Sequence, residues 1–94
     1  MALDVRELAF DDENEAKFAV HAVDVIELQQ VLDGSPRLFV NRRPRRASHV
    51  MIGPTEGGRL LVVPIEDWGG AGVWRPVTAF DAIGENAVRY RRHR

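Results

Sequence analysis

Ala47-Ser48-His49-Val50-Met51-Ile52-Gly53, then Pro54-Thr55-Glu56-Gly57-Gly58, then Arg59-Leu60-Leu61-Val62-Val63-Pro64-Ile65, and after a Gly-rich loop Val73-Trp74-Arg75-Pro76-Val77-Thr78-Ala79: this succession decides the fold. Three short runs rich in Val, Ile, Leu and Trp, parted by Gly- and Pro-bearing breaks, spell an antiparallel meander. The first break, Thr55-Glu56-Gly57-Gly58, supplies residues that tolerate positive φ, as a tight hairpin requires. Gly69-Gly70-Ala71-Gly72 follows Trp68 and leads into a strand rather than a helix, so it reads as a flexible hairpin loop and not as a phosphate cradle.

Outward from this sheet, residues 5–10 fit a short edge strand, and Asp11-Asp12-Glu13 breaks it. Asp12 is the expected N-cap, with Glu15 three residues on as a capping-box partner, and a helix follows over 13–22. Ala16, Ala19, Val20 and Val23 fall at i, i+3, i+4 and i+7, a stripe expected to be buried. A second helix starts near Asp24, carries Val25, Leu28, Val31 and Leu32 on one side, and is stopped by Asp33-Gly34 and Pro36. Two amphipathic helices joined almost without a linker need an apolar surface, and the sheet supplies it. Residues 37–41 fit another strand, placed at an edge by the prolines on either side. Its open side near Phe39 could pair with a second copy, although the same prolines oppose a long pairing. A last helix is expected over 82–92, capped by Asp81, with Ile83, Ala87 and Tyr90 on one side and Gly84 weakening it by roughly 1 kcal/mol. The fold class is thus α+β: a small antiparallel sheet flanked by two N-terminal helices and one C-terminal helix, a single domain over 1–94.

A chain of 94 residues buries a modest core, and 45 % hydrophobic with 29 % charged residues is ordinary globular composition. No apolar run reaches the roughly 18 residues a membrane span needs, and the acidic first residues do not resemble a signal peptide, so a soluble cytosolic chain is expected. The absence of cysteine excludes a disulfide, a thiol nucleophile and a zinc–thiolate site. The net charge of −1 hides a division: residues 1–30 hold eight acids against two bases, and residues 31–94 hold eleven arginines against six acids. The basic part suits phosphates or an acidic protein, and arginine's planar fork matches both.

Two clusters concentrate that charge. Arg42, Arg43, Arg45 and Arg46 form a basic loop, and Arg89, Tyr90, Arg91, Arg92 and Arg94 a basic tail whose charge suits a helix C-terminus. If they converge they contact several phosphates and bind in a salt-dependent way; otherwise they solubilise a loop and a tail. Tyr90 is the one aromatic among them, little for a single-strand stacking platform. His21 has the chemistry of a general acid or base, or of a hydrogen-bonded structural residue. Lys17, one turn earlier, can stabilise a phosphoryl oxyanion or pair with Glu13. Arg59 and Arg75, on strands, can hold a scissile phosphate or sit as polar residues on the solvent face. His49 and His93 are too scattered to join His21 in a metal site. Ser35 and Ser48 lie in no nucleophile elbow.

The order Phe10-Asp11-x-x-Asn14-Glu15-x-Lys17-Phe18-x-x-His21-x-Val23, then Glu27, then Gly53-x-Thr55-x-x-Gly58-Arg59-x-Leu61-x-Val63, then Arg75-x-Val77-Thr78-Ala79, then Asp81-Ala82 and Tyr90, resembles the BrnT-type toxin family over roughly residues 8–92. The resemblance implies a RelE-like fold and a toxin of a type II toxin-antitoxin pair. It implies RNA cleavage without metal or other cofactor, the 2′-hydroxyl acting as nucleophile, with Lys17, His21, Arg59 and Arg75 at the matching catalytic positions. It further implies a cognate antitoxin with a ribbon-helix-helix DNA-binding part, encoded alongside and neutralising the toxin in a complex that represses its own operon. Three positions depart from the pattern. Phe10 stands for the usual Trp, Phe80 for an Arg, and Asn86 for a Glu. Phe80 and Asn86 are the departures that matter and Phe10 is a milder change: losing the guanidinium at position 80 costs about 2.7–4 kcal/mol in the transition state, so weakened catalysis is expected. The competing expectation is a catalytically silent relative that binds a protein or nucleic acid through its arginines.

Overall fold

The computed structural model describes residues 4–43 and 46–92. In chain order it contains β1 (Glu7–Leu8), α1 (Asp12–Val20), α2 (Val25–Asp33), β2 (Arg37–Val40), β3 (His49–Pro54), β4 (Leu60–Gly70), β5 (Val73–Pro76), β6 (Phe80–Asp81) and α3 (Glu85–Arg92). The strands form one sheet in the order β1-β5-β4-β3-β2, with β6 added to β4. The meander from β2 to β5 is antiparallel as expected, but β1 joins β5 in parallel, so the sheet is mixed. The protein is a small α+β fold, three helices against a six-stranded sheet among the described residues.

β4 is the spine. Of its eleven residues, 60–65 pair with β3 on one side. On the other side β6 pairs with its first half (Leu61 with Asp81, Val62 with Phe80) and β5 with its second half (Ile65 with Pro76, Glu66 with Arg75). The Gly-rich segment expected as a loop is largely strand: β4 continues to Gly70 through an irregularity, and only Ala71 and Gly72 turn. Both have positive φ, 56° and 81°, which is what a two-residue hairpin turn matching the twist of the strands demands.

The helices obey their caps more closely than their expected stripes. Asp11, not Asp12, caps α1, and its box partner is Asn14: each side chain accepts from the other's backbone N–H, at 2.8 and 2.9 Å. Starting one residue earlier rotates the buried face onto Asn14 and Phe18, leaving Ala16, Ala19 and Val20 exposed, Val20 by 79 %. The helix ends at Val20 rather than Ala22, because Ala22 takes a φ of 55°, outside the helical region. α2 is capped by Asp24 with Glu27 and buries Leu28 and Val31, as its periodicity requires. Gly53 in β3 lets it pack there: a Cβ would stand 3.1 Å from both Val31 Cγ1 and Pro36 Cβ. At the other end, Asp81 is part of β6 and caps nothing; Gly84, with φ 56°, separates β6 from α3, which begins only at Glu85 and leaves Ile83 77 % exposed.

The sheet has an apolar cluster on each face. Phe18, Leu28 and Val31 from α1 and α2 close over Met51, Leu61, Val63, Ile65 and Trp74. On the opposite face Val50, Ile52 and Val62 receive Phe39, Phe80 and Tyr90. This second cluster is smaller, and α3 covers only part of it. Among the described residues no helix is long and apolar enough to cross a membrane.

Candidate nucleic-acid interface

The alternation of β4 turns Val62, Pro64 and Glu66 to the α3 face in sequence, so this strand sets out the site as a line. Cross-strand register supplies their neighbours: Phe80 beside Val62, and Arg75 beside Glu66. A cluster of ionic contacts stands at each end of the line, and an open groove lies between them.

At the start of the line, Arg59 gathers the chain. Its Nε and Nη2 donate to Asp81 at 2.6 and 3.1 Å, its Nη1 and Nη2 donate to the carbonyls of Ala22 and His21 at 2.7 and 2.8 Å, and Glu27 lies 3.4 Å away. Arg59 therefore pins the strained α1–α2 turn to the sheet. Its hydrogen bonds hold the Asp81 carboxyl below the ordinary carboxylate range, with His21 adding a smaller effect in the same direction. His21 itself caps the C-terminus of α1, and its exposed imidazole lies against Phe80 with ring centroids 5.9 Å apart.

At the far end, Arg75 is 3 % exposed and held by three carboxylates: Asp11 at 2.7 Å, Glu66 at 2.9 Å and Glu13 at 3.1 Å. Its guanidinium also lies 5.2 Å from the Trp68 ring centre. Asp11 takes both Nε and Nη2, a bidentate pairing, while its Oδ1 still accepts from Asn14. Bonded to Arg75 and to a helix N-terminal N–H, the Asp11 carboxyl falls from its ordinary 3.8 to about 2. Arg46 reinforces the cluster from the basic loop, reaching Glu13 at 3.0 Å and Glu66 at 3.1 Å.

The structure thus brings His21 and Arg59 together and places Arg75 elsewhere. Arg59 and Glu66 are separated by seven positions along the β4 line, roughly 23 Å at about 3.3 Å per residue. Neither Arg59, which lies just before β4 and not on a strand, nor Arg75 in β5 presents a free fork: each is committed to carboxylates of its own chain.

The groove between the two clusters gathers most of the remaining expected cations. A hollow of about 480 Å³ has Arg42 and Arg43 on the loop side and Arg89 on the α3 side. Its floor is apolar, Val50, Val62, Pro64 and Phe80, and Asn86 stands on its wall. A second hollow of about 350 Å³ shares Asn41, Arg43 and Pro64 with the first and adds Lys17 and Arg46. Both Phe80 and Asn86, the departures noted in the sequence, line the first hollow. Arg45 and the tail residues His93 and Arg94 lie outside the described residues. Tyr90 packs its side chain against the Val50, Ile52 and Val62 cluster and is not among the lining residues.

Arg89 differs from the other groove cations. Arg42 is paired with Glu85 across the opening, and Arg46 with two carboxylates. Arg89 instead donates to the Val40 carbonyl at 3.1 Å and lies 4.2 Å from the Phe39 ring centre, with no carboxylate in hydrogen-bonding contact among the described residues. Partial burial, and then the neighbouring charge of Arg42, hold it below the usual arginine range, although Glu85 opposes the shift. An anion entering the groove would remove that penalty.

The acids that neutralise Arg59 and Arg75 were not singled out by sequence reasoning. Counting back from the Ala71-Gly72 turn would bring Trp68 opposite Arg75; the irregularity between Asp67 and Gly70 shifts the register by two and puts Glu66 there instead, so no local signal pointed to Glu66. Nothing local pointed to Asp11 or Glu13, which come from the other end of the chain. His49, the remaining described histidine, stacks edge-on against Trp74 with centroids 5.5 Å apart. Comparison with known proteins finds no matching family model, no matching curated protein and no matching solved structure.

Proposed function

We propose that this chain is a BrnT-like protein that binds the phosphates of RNA along the groove of Arg42, Arg43 and Arg89 and does not turn the RNA over. The observation that carries this reading is the division of labour among the cations. Arg59 and Arg75 are each neutralised internally, whereas Arg89 is half-buried in a concave surface rich in arginine, with no carboxylate in hydrogen-bonding contact among the described residues. A phosphodiester offers the charge such a guanidinium lacks, in a geometry that its planar fork matches. Arg43 and Lys17 extend the same surface to further phosphates of one strand, whereas Arg42 and Arg46 are already paired with carboxylates.

The test is titration of the purified chain with a labelled single-stranded RNA at rising salt. Log affinity should fall linearly with log salt, with a slope of about −0.7 for each phosphate neutralised, and the RNA should remain intact over hours with EDTA present. Absence of binding at low salt refutes the reading.

One observation favours a second reading, the metal-independent endoribonuclease toxin implied by the resemblance. The His21 imidazole lies against Phe80, which lines the groove, so a group able to donate or accept a proton stands behind one wall of that groove. On this reading RNA is cut in EDTA and expression arrests growth, and both effects vanish in His21→Ala. A cognate antitoxin then covers the groove, and a short neighbouring reading frame with a ribbon-helix-helix signature is its expected source.

A further inference from the structure

The groove has two chemically distinct halves, and together they specify more than a polyanion. The charged half is Arg42, Arg43 and Arg89, with Glu85 paired to Arg42; the other half is apolar, made of Val50, Val62, Pro64 and the Phe80 ring. Phosphates alone gain nothing from an apolar floor. A flat heteroaromatic base does, because stacking removes apolar surface on both sides from water and needs no particular sequence. Resting on the RNA-binding reading above, we propose that the groove is a seat for one unpaired nucleotide, its base lying on the Phe80 ring and its phosphate held by Arg43 and Arg89.

Three features support the assignment. The hollow, about 480 Å³, lies within the range of sites that enclose a small molecule and suits a nucleotide. Phe80 packs against the Val50, Ile52 and Val62 cluster and against His21, whose ring centroid lies 5.9 Å away at an interplanar angle of 57°. A ring packed in this way has less rotamer freedom to lose on stacking. Asn86 stands on the wall with a carboxamide that both donates and accepts, the pairing that reads a base edge. A duplex cannot use the seat, since its bases are already stacked, so the substrate class is single-stranded RNA or an unpaired loop.

The experiment compares a short single-stranded oligoribonucleotide with an abasic oligomer of the same length and charge, binding each to the full chain and to Phe80→Leu by fluorescence anisotropy. The base-bearing oligomer should bind the native chain about five- to a hundredfold more tightly than the abasic one, the range expected when one base stacks on an aromatic ring. Phe80→Leu should close most of that gap while leaving the abasic affinity and its salt slope in place. Equal, salt-sensitive binding of both oligomers to the native chain overturns the base seat and leaves the phosphate groove standing. A gap that survives Phe80→Leu overturns the assignment to Phe80. Failure of both oligomers to bind refutes the RNA reading itself. If Phe80→Leu does not fold, the comparison of the two oligomers on the native chain still decides.

Discussion

Replacing Arg75 by Met tests whether the cluster around it holds the fold together. The substitution retains an unbranched apolar stem beside Trp68 and removes only the charge and its donors, which now serve Asp11, Glu13 and Glu66. Breaking a buried ion pair from one side costs about 3–5 kcal/mol, because the remaining charge is left uncompensated. Here Asp11 and Glu13 keep contact with water and Arg46 stays on Glu13 and Glu66, so the lower end applies, about 3 kcal/mol. For a chain of this size that is a fall in Tm of roughly 12–24 °C, out of a total stability on the order of 5–14 kcal/mol. The pH dependence adds a second check. The folded Asp11 carboxyl is lowered to about 2, so its stabilisation is fully present above pH 3.8 and is lost as pH falls through about 2. In Arg75→Met that pKa returns towards its ordinary value, and the stability gap between the two proteins should narrow between pH 4 and pH 2. Urea denaturation followed by circular dichroism at pH 7, 4 and 2.5 measures both effects. A loss under about 1 kcal/mol at pH 7, or a gap that does not change with pH, refutes the account of Arg75 as the centre of a scaffold.

Four further outcomes follow from the same geometry. Asn14→Ala removes donors to the Ala9 and Pro76 carbonyls at 3.1 and 2.9 Å from a fully buried site and should cost about 2–3 kcal/mol in urea denaturation. Gly53→Ala, which drives a methyl group against Val31 and Pro36 at 3.1 Å, should cost about 1–3 kcal/mol, seen as a lower Tm. Arg59→Met releases the Ala22 and His21 carbonyls and should lower stability by about 2 kcal/mol, with faster proteolysis at residues 21–24. Arg89→Ala should weaken RNA binding for all sequences and reduce the magnitude of the salt slope by about 1, with little change in Tm in a thermal melt.

The strands were legible because β4 and its partners state their period and breaks locally, and Asp24 with Glu27 states the start of α2 in the same way. α1 was misread by one residue. Asp11 and Asp12 are equally good caps in isolation, and what selects Asp11 is Asn14, whose amide reaches the Pro76 carbonyl sixty-two positions away. The stripe of Ala16, Ala19 and Val20 failed for the same reason: the helix buries the face that Asn14 and Phe18 can use against the sheet. The ion pairs of Arg59 and Arg75 were not legible because most of their acids, Asp11 and Glu13 for Arg75 and Glu27 and Asp81 for Arg59, are distant in the chain, and the nearer Glu66 reaches Arg75 only through the irregular register of β4.

By itself the sequence determined the meander, the two flanking helices, the basic loop and tail, and the want of any thiol chemistry, since these rest on period, turn chemistry and composition, all of them local. Only the tertiary structure decided which arginines are spent on carboxylates and which face an open groove. That distinction depends on where acids from both ends of the chain and from β4 itself come to rest beside the arginines, and long-range register is not written in any short stretch of residues.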